Sequence, residues 1–383
     1  MRILHLFSNW KWTGPAEPAT SLAATLAKRG HEVYFACGRP PGRLPNAVAE
    51  HAKEYKLRPE TRFMLKKHLN LPRNLFDSIA LPRYIKKKGI DIIHTHMTND
   101  HLLGGKACAK MNPPVSVVRS SYEGEGLADT RRNRMLVTKY TDALIVASRK
   151  AKGNDIERFG ISPKKAWQIS TAIDTERFDP SRELESAWSK FGIRETDYVV
   201  GIVARMQTHR RFEVLLEAVQ IASHHLDNLK MLIVGRGTNM QKVAVGPARE
   251  MGLLRNTIIF SGYQKGDDYV ATLAAMDAKI FLMPGSDGTC RAVREALAMG
   301  VPVITARRGM LDEIVSDGST GLVIDDTAAN LADAIVKLGR DGALRKQMSG
   351  TALKRARKTF SLDTYAEKVE RVYLSLLKAR MSK

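Results

Sequence analysis

Short apolar runs recur along the chain, each separated from the next by a stretch long enough for a helix. In the first half they are RILHLFS (2–8), EVYFAC (32–37), DIIHTH (91–96), VSVVRS (115–120), DALIVAS (142–148) and WQIS (167–170). Runs of this length, bounded by Gly, Pro, Asn or Asp, read as buried strands. A helix over about Ala19–Arg29 leads through Gly30 into the second run. The second half repeats the scheme with YVVGIVA (198–204), KMLIVG (230–235), TIIFSG (257–262), AKIFLMPG (278–285), VPVITA (301–306) and GLVID (321–325). From Ala328 onward the pattern is helical throughout.

Strands alternating with helices imply right-handed βαβ units and mainly parallel sheets. The expected fold class is therefore α/β, with two Rossmann-like domains facing across a cleft. At 383 residues and 42.6 kDa the chain exceeds the usual single-domain size. The segment 174–197 has mixed charge and no buried strand, which places the boundary there: residues 1–182 and 183–362. In open α/β sheets ligands sit at the carboxyl ends of strands, so the loops there are the candidate sites.

The apolar–polar pattern is different between Thr61 and Gly89, where Phe63, Met64, Leu65, Leu69, Leu71, Leu75 and Phe76 are mixed with a row of cations. One reading is a core helix with a solvated basic face. The other is a segment that docks on an anionic membrane surface. Charge sharpens the question. The net charge is +21, and residues 1–180 hold 31 Lys and Arg against 17 Asp and Glu, compared with 30 against 23 in the remainder. An anionic membrane face, an acidic small substrate or nucleic acid would each suit such an excess. No stacking platform or basic recognition helix accompanies the charge, so no nucleic acid is expected. No apolar run reaches the roughly 20 residues that span a bilayer, and MRILHLFSNWKW does not read as a signal peptide. Cys37, Cys108 and Cys290 lie far apart, without metal-type spacing, which suits a reducing cytoplasm.

Candidate chemistry gathers in the second half. PGSDGTCRAVREALAMGVPVI (284–304) reads as a strand end, a Gly turn, an amphipathic helix and a second strand, bracketed by Asp287 and Glu295. A helix beginning near Thr289 would aim free N–H groups at the loop, which favours an anion there. ARMQTHRRF places Arg205, Arg210 and Arg211 between a strand and a helix, a layout that suits a diphosphate or a plain surface cluster. VGRGTNM, with Gly235, is a weak phosphate-loop signal, and Asp267 and Asp268 read as a helix N-terminus. In the first half, His94 and His96 share one face of a strand end. Without further ligands, one is expected to pack in the sheet and the other to line the cleft. Trp10 and Trp12 would either stack on a sugar or pack on the domain.

In this order, the loops resemble the retaining GT-B glycosyltransferases that use nucleotide sugars, the group 1 type with a Glu-x7-Glu motif. The motif's frame is met by Asp287-Gly288 and Glu295-Ala296-Leu297-Ala298-Met299-Gly300-Val301-Pro302-Val303-Ile304. The family's diphosphate cations fall on Arg205 and Arg210, and its glycine turn on Gly235. Ser148, Ile173, Asp174, Phe178 and Pro180 are in register with its linker. The resemblance covers essentially the whole chain. It implies that Glu295 binds the donor ribose, and that Asp287 holds hydroxyls of the transferred sugar. Backbone N–H groups from Gly288 through Thr289 and Cys290 to Arg291 would help. Arg205 and Arg210 would stabilise the leaving diphosphate, so no cofactor and no metal is expected beyond the nucleotide-sugar co-substrate. Gly14, His96, Ser121 and Tyr122 fall on the acceptor side. A C-terminal helix (363–383) would cross back to complete the first domain.

Three departures stand out. Asp287 replaces the first Glu, Arg211 takes the place of a customary Gly, and Ser121 or Tyr122 stands where a His is common. The expected activity is transfer of a sugar to a glycan or glycolipid, such as lipopolysaccharide core, at the inner face of the cytoplasmic membrane. The alternatives are a catalytically degenerate nucleotide-sugar-binding protein and another GT-B activity such as an epimerase.

Overall fold

The computed structural model describes residues 1–254, 256–284 and 290–382. The chain divides into two units, one of residues 1–172 and 362–382 and the other of residues 173–284 and 290–361. The division precedes the 182/183 boundary read from the sequence. The reason is local: Ile173 bridges to Ser361, and Phe178 packs edge-on against Tyr269, so the start of the linker already belongs to the second unit.

The first unit holds seven strands: β1 (Arg2–Phe7), β2 (Glu32–Cys37), β3 (Pro59–Glu60), β4 (Ile92–Thr95), β5 (Ser116–Ser121), β6 (Ala143–Val146) and β7 (Ala166–Gln168). Their order is β3-β2-β1-β4-β5-β6-β7, all pairs parallel. Six answer to the apolar runs. The two-residue β3 is too short and too polar to carry a periodic signal, and it rests on the register Phe35↔Pro59. Alternation along β1 shows how the sheet buries both faces. Leu4 and Leu6 pack with Leu81, Tyr84 and Ile93 on one side. Ile3 packs with Leu22, Leu26 and Ile92 on the other. On that second face lies the C-terminal helix Leu362–Met381, burying Tyr365, Ala366, Val369, Val372 and Tyr373. Its Glu370 binds Arg29 and His31, fixing its rotation.

The second unit has β8 (Tyr198–Val203), β9 (Leu229–Val234), β10 (Ile258–Gly262), β11 (Ala278–Phe281), β12 (Val303–Ala306) and β13 (Gly321–Ile324). The order is β10-β9-β8-β11-β12-β13, again parallel. Val200, Ile202, Met231, Ile233 and Ile280 meet Leu215, Leu216 and Leu331 from the helices in one core. In each sheet the strand order reverses beside the first strand, between β1 and β4 and between β8 and β11. A topological switch point of this kind leaves a crevice at the carboxyl ends. The helical tail is broken at Asp341, which caps the helix Gly342–Thr359, and again before Leu362.

Candidate functional site

In the second unit the loops after β8, β9 and β11 meet at the switch point. Arg205 is exposed in the loop after β8, and Arg210 is half-buried a turn later. Arg210 donates from Nη1 to the carbonyl oxygen of Met283 at 2.8 Å, while its Nε is buried without a partner. Burial, and then repulsion from Arg205, holds its guanidinium below the usual range. Among the described residues, neither arginine has a carboxylate in ion-pair reach. Two cations held close without an acid between them favour a polyanion. Arg211 has a different role. It binds Asp326 at 3.2 Å and Glu213 at 3.3 Å, and its φ of +61° explains why a glycine would suit the position. Gly235 completes the crossing of the loops: its φ is +133°, and a Cβ there would stand 2.2 Å from the carbonyl oxygen of Ala204, directly before Arg205. A side chain at 235 would displace the Arg205 loop.

The helix Arg291–Ala298 follows Cys290, whose φ of +52° makes a left-handed entry. Glu295 is 4% exposed on its buried side. Its carboxylate accepts from the Tyr269 hydroxyl at 2.6 Å and pairs with Arg291 Nε at 3.3 Å. Asp287, Gly288 and Thr289 lie outside the described residues. Asp267 and Asp268 fall in the first turn of the helix Gly266–Ala274 and pair with Arg182 and Lys190.

Sequence reasoning missed two residues here. Tyr269 carries no periodic signal, and its hydroxyl reaches Glu295 only through the fold. Lys279 did leave a trace, a single cation inside the apolar run AKIFLMP, and it is fully buried on β11.

In the first unit, the acceptor-side candidates sit at the carboxyl edge of the sheet. Gly14 lies in the turn ahead of the helix Ala16–Lys28. His96, Ser121 and Tyr122 are all buried, and His96 Nδ1 hydrogen-bonds the Tyr122 hydroxyl at 2.6 Å. The expectation that one of His94 and His96 lines an open cleft is corrected: their exposures are 0% and 1%. Both point to the face that carries His5, because His5 and His94 are register partners on adjacent strands. His94 bonds Tyr373 and Ser120, and His96 Nε2 meets His5 Nδ1 at 3.0 Å. The three rings stack within 30° of parallel. Their ligand atoms lie within 4.8 Å of one another. The rings are nearly parallel and His94 and His96 are hydrogen-bonded at both nitrogens, while His5 Nε2 is buried without a partner. Beside them Asp100 accepts from the backbone N–H groups of Ser8, His96 and Met97, stapling the ends of β1 and β4. Burial pushes its carboxyl up to about 7. Trp12 packs on His51, with ring centroids 4.2 Å apart.

Two parallel α/β units, one of which holds both a polyanion-ready pair of arginines and the buried carboxylate of Glu295, suit a nucleotide-binding class. Residues 185–355 match the family model Glycosyl transferases group 1, and residues 14–177 match Glycosyltransferase Family 4. N-acetyl-alpha-D-glucosaminyl L-malate synthase of Bacillus anthracis is 22% identical over 379 residues, spanning 95% of this chain and 94% of its own. Anabaena Alr3699/HepE in complex with UDP is similar in fold, with TM-score 0.81 at 17% identity, covering 98% of this chain and all of that one. The lipopolysaccharide outer core galactosyltransferase WaaB, in its apo form, gives TM-score 0.72 at 16% identity, covering 98% and 99%. The chain belongs to the GT-B glycosyltransferases that use nucleotide sugars.

Proposed function

We propose that this protein transfers a sugar from a nucleotide-diphosphate sugar to a glycan or glycolipid acceptor, with retention of anomeric configuration. The observation that carries the reading is the pair Arg205 and Arg210, free of carboxylate partners among the described residues, in the same unit as the buried carboxylate of Glu295. Glu295 accepts from the ribose hydroxyls, with one oxygen already oriented by Tyr269. Arg205 and Arg210 bind the diphosphate and stabilise the charge that develops as it leaves. Asp287 holds hydroxyls of the donor sugar, and the backbone from Gly288 to Arg291 assists. Gly14, His96, Ser121 and Tyr122 are assigned to the acceptor side, where the buried His96–Tyr122 hydrogen bond supports the edge of the sheet. The arginine pair does the work a divalent ion does elsewhere, so no metal is required. UDP bound to the HepE neighbour supports a nucleoside diphosphate, and the lipopolysaccharide substrate in the WaaB name supports an envelope glycolipid.

The protein is proposed to work at the anionic inner face of the cytoplasmic membrane. No described helix is long and apolar enough to cross a membrane. The helix Leu71–Lys88 instead leaves Leu71, Leu75, Phe76 and Ile79 exposed next to its cations.

The test is turnover of UDP-, GDP- and ADP-sugars over a glycolipid panel, in buffer containing EDTA. Glu295→Ala and Arg205→Ala should each lower kcat/KM by about 10²–10³-fold, the scale for removing a transition-state contact. Unchanged turnover in both variants overturns the reading. Nucleotide binding without turnover on any acceptor would favour the binding-protein alternative.

A further inference from the structure

β11 is flanked by β8 and β12 and packed under the helix Arg291–Ala298, yet its second residue is a lysine with no exposed surface. A central parallel strand is normally apolar along its whole length. Lys279 lies beside Gly201 on β8 and Val303 on β12, neither of them charged. Its Nζ donates to the carbonyl oxygen of Ala292 at 2.6 Å, in the first turn of the covering helix. The acid that acts on it is Glu295, one turn further along the same helix. A buried cation is costly unless a partner uses its charge. Here the charge that favours it is that of Glu295, acting without a direct ion pair, while Tyr269 and Arg291 hold the carboxylate itself.

We propose that Lys279 is a positioning residue of the donor site, the buried cation that anchors the first turn of the helix Arg291–Ala298 and so sets where Glu295 meets the donor ribose. The inference rests on the reading of Glu295 given above. Ala292 and Glu295 are three residues apart, so a grip on one carbonyl fixes the angle at which the carboxylate emerges. The entry through Cys290 is left-handed, which makes an anchor from the sheet below the direct way to hold that turn.

Burial pushes the Lys279 ammonium down to about 8, against the opposing pull of Glu295. The charge is therefore present at neutral pH and lost as pH rises through about 8. The groups around this carboxylate are Arg291 on the same helix and Tyr269 on the helix Gly266–Ala274, the latter within the field of Arg177. Burial holds the Tyr269 hydroxyl well above its usual range, so it does not titrate in this window.

The experiment is calorimetric titration of the whole protein with UDP, GDP and ADP from pH 7 to about pH 9.5, together with donor KM and kcat. Wild-type affinity should fall about tenfold across the window, the size of losing one charge-assisted contact. Lys279→Met should bind about tenfold more weakly at pH 7 with a flat profile, and its kcat at saturating donor should move less than about threefold. Lys279→Gln keeps a donor without the charge; it should also be flat, and it serves if the Met variant does not fold. An inflection near 8 that persists in either variant overturns the assignment. Glu295→Gln separates the two ideas: if it binds nucleotide like the wild type, the ribose reading fails. If it binds weakly while the Lys279 variants match the wild type, the role of Lys279 alone fails.

Discussion

Three imidazoles, those of His5, His94 and His96, lie in a row in the first sheet, and burial keeps all of them neutral. Burial holds His5 down to about 3 and the other two well below 6.5, as it does His101 on the neighbouring helix. The sign follows from proton linkage. The unfolded chain takes up protons below about pH 6.5 and the folded chain does not, so stability is present above that pH and lost below it. Each histidine costs about 1.4 kcal/mol per pH unit in that range. Asp100 and Asp155, held up to about 7 and about 6, work in the opposite direction, as do the smaller upward shifts of Asp77 and Asp277, but the four histidines shift further in this range. The melting temperature should therefore fall by several degrees between about pH 7 and pH 5, at roughly 2–4 °C per kcal/mol for a unit of this size. A melting curve insensitive to pH there would contradict the account. From the sequence, His94 and His96 were legible as sharing a face. That His5 would join them depends on strand order, which brings β1 against β4.

At the scale of the element, the helix Leu71–Lys88 shows how far local signals reach. Asn70 caps it, Pro72 opens it and Gly89, at φ +58°, ends it, each as its residue type suggests. Two apolar stripes run along it. Leu81, Tyr84 and Ile85 face the core. Leu71, Leu75 and Ile79 are exposed at a spacing of four, and the same spacing continues into Arg83 and Lys87. The buried stripe fits the core-helix reading, the exposed stripe is what docking on a membrane would require, and only packing could say which stripe was covered. If the exposed stripe docks on lipid, vesicles with anionic lipid should sediment the protein and neutral vesicles should not, each cation near the surface adding about 1 kcal/mol. Leu75→Glu with Ile79→Glu should abolish the binding while leaving the melting temperature in place. Equal sedimentation with both vesicle types would remove the idea.

On the scale of the whole molecule, the first unit is built from two distant parts of the chain. Truncation after Leu362 would strip Tyr365, Ala366, Val369, Val372 and Tyr373 from its core and break the Tyr373–His94 bond. Each large buried side chain is worth about 1.5–3 kcal/mol, and a domain's net stability is only about 5–15 kcal/mol. Calorimetry of the truncated chain should therefore lose the cooperative transition of the first unit and keep that of the second. Two unchanged transitions would show that the helix is dispensable.

The sequence by itself determined the alternation of strands and helices, the two parallel sheets and the segments that carry the residues proposed for the donor site. Those properties are local: strand length, apolar periodicity, caps and motif spacing are written in neighbouring positions. Only the tertiary structure decided that Arg211 is engaged by Asp326 while Arg205 and Arg210 stay free of carboxylates among the described residues, that Tyr269 and Lys279 converge on the region of Glu295, and that His96 is buried. These facts depend on which strands become neighbours and which helix face is covered. Charge and burial at a site are sums over residues far apart in the chain, so no window along the sequence contains them.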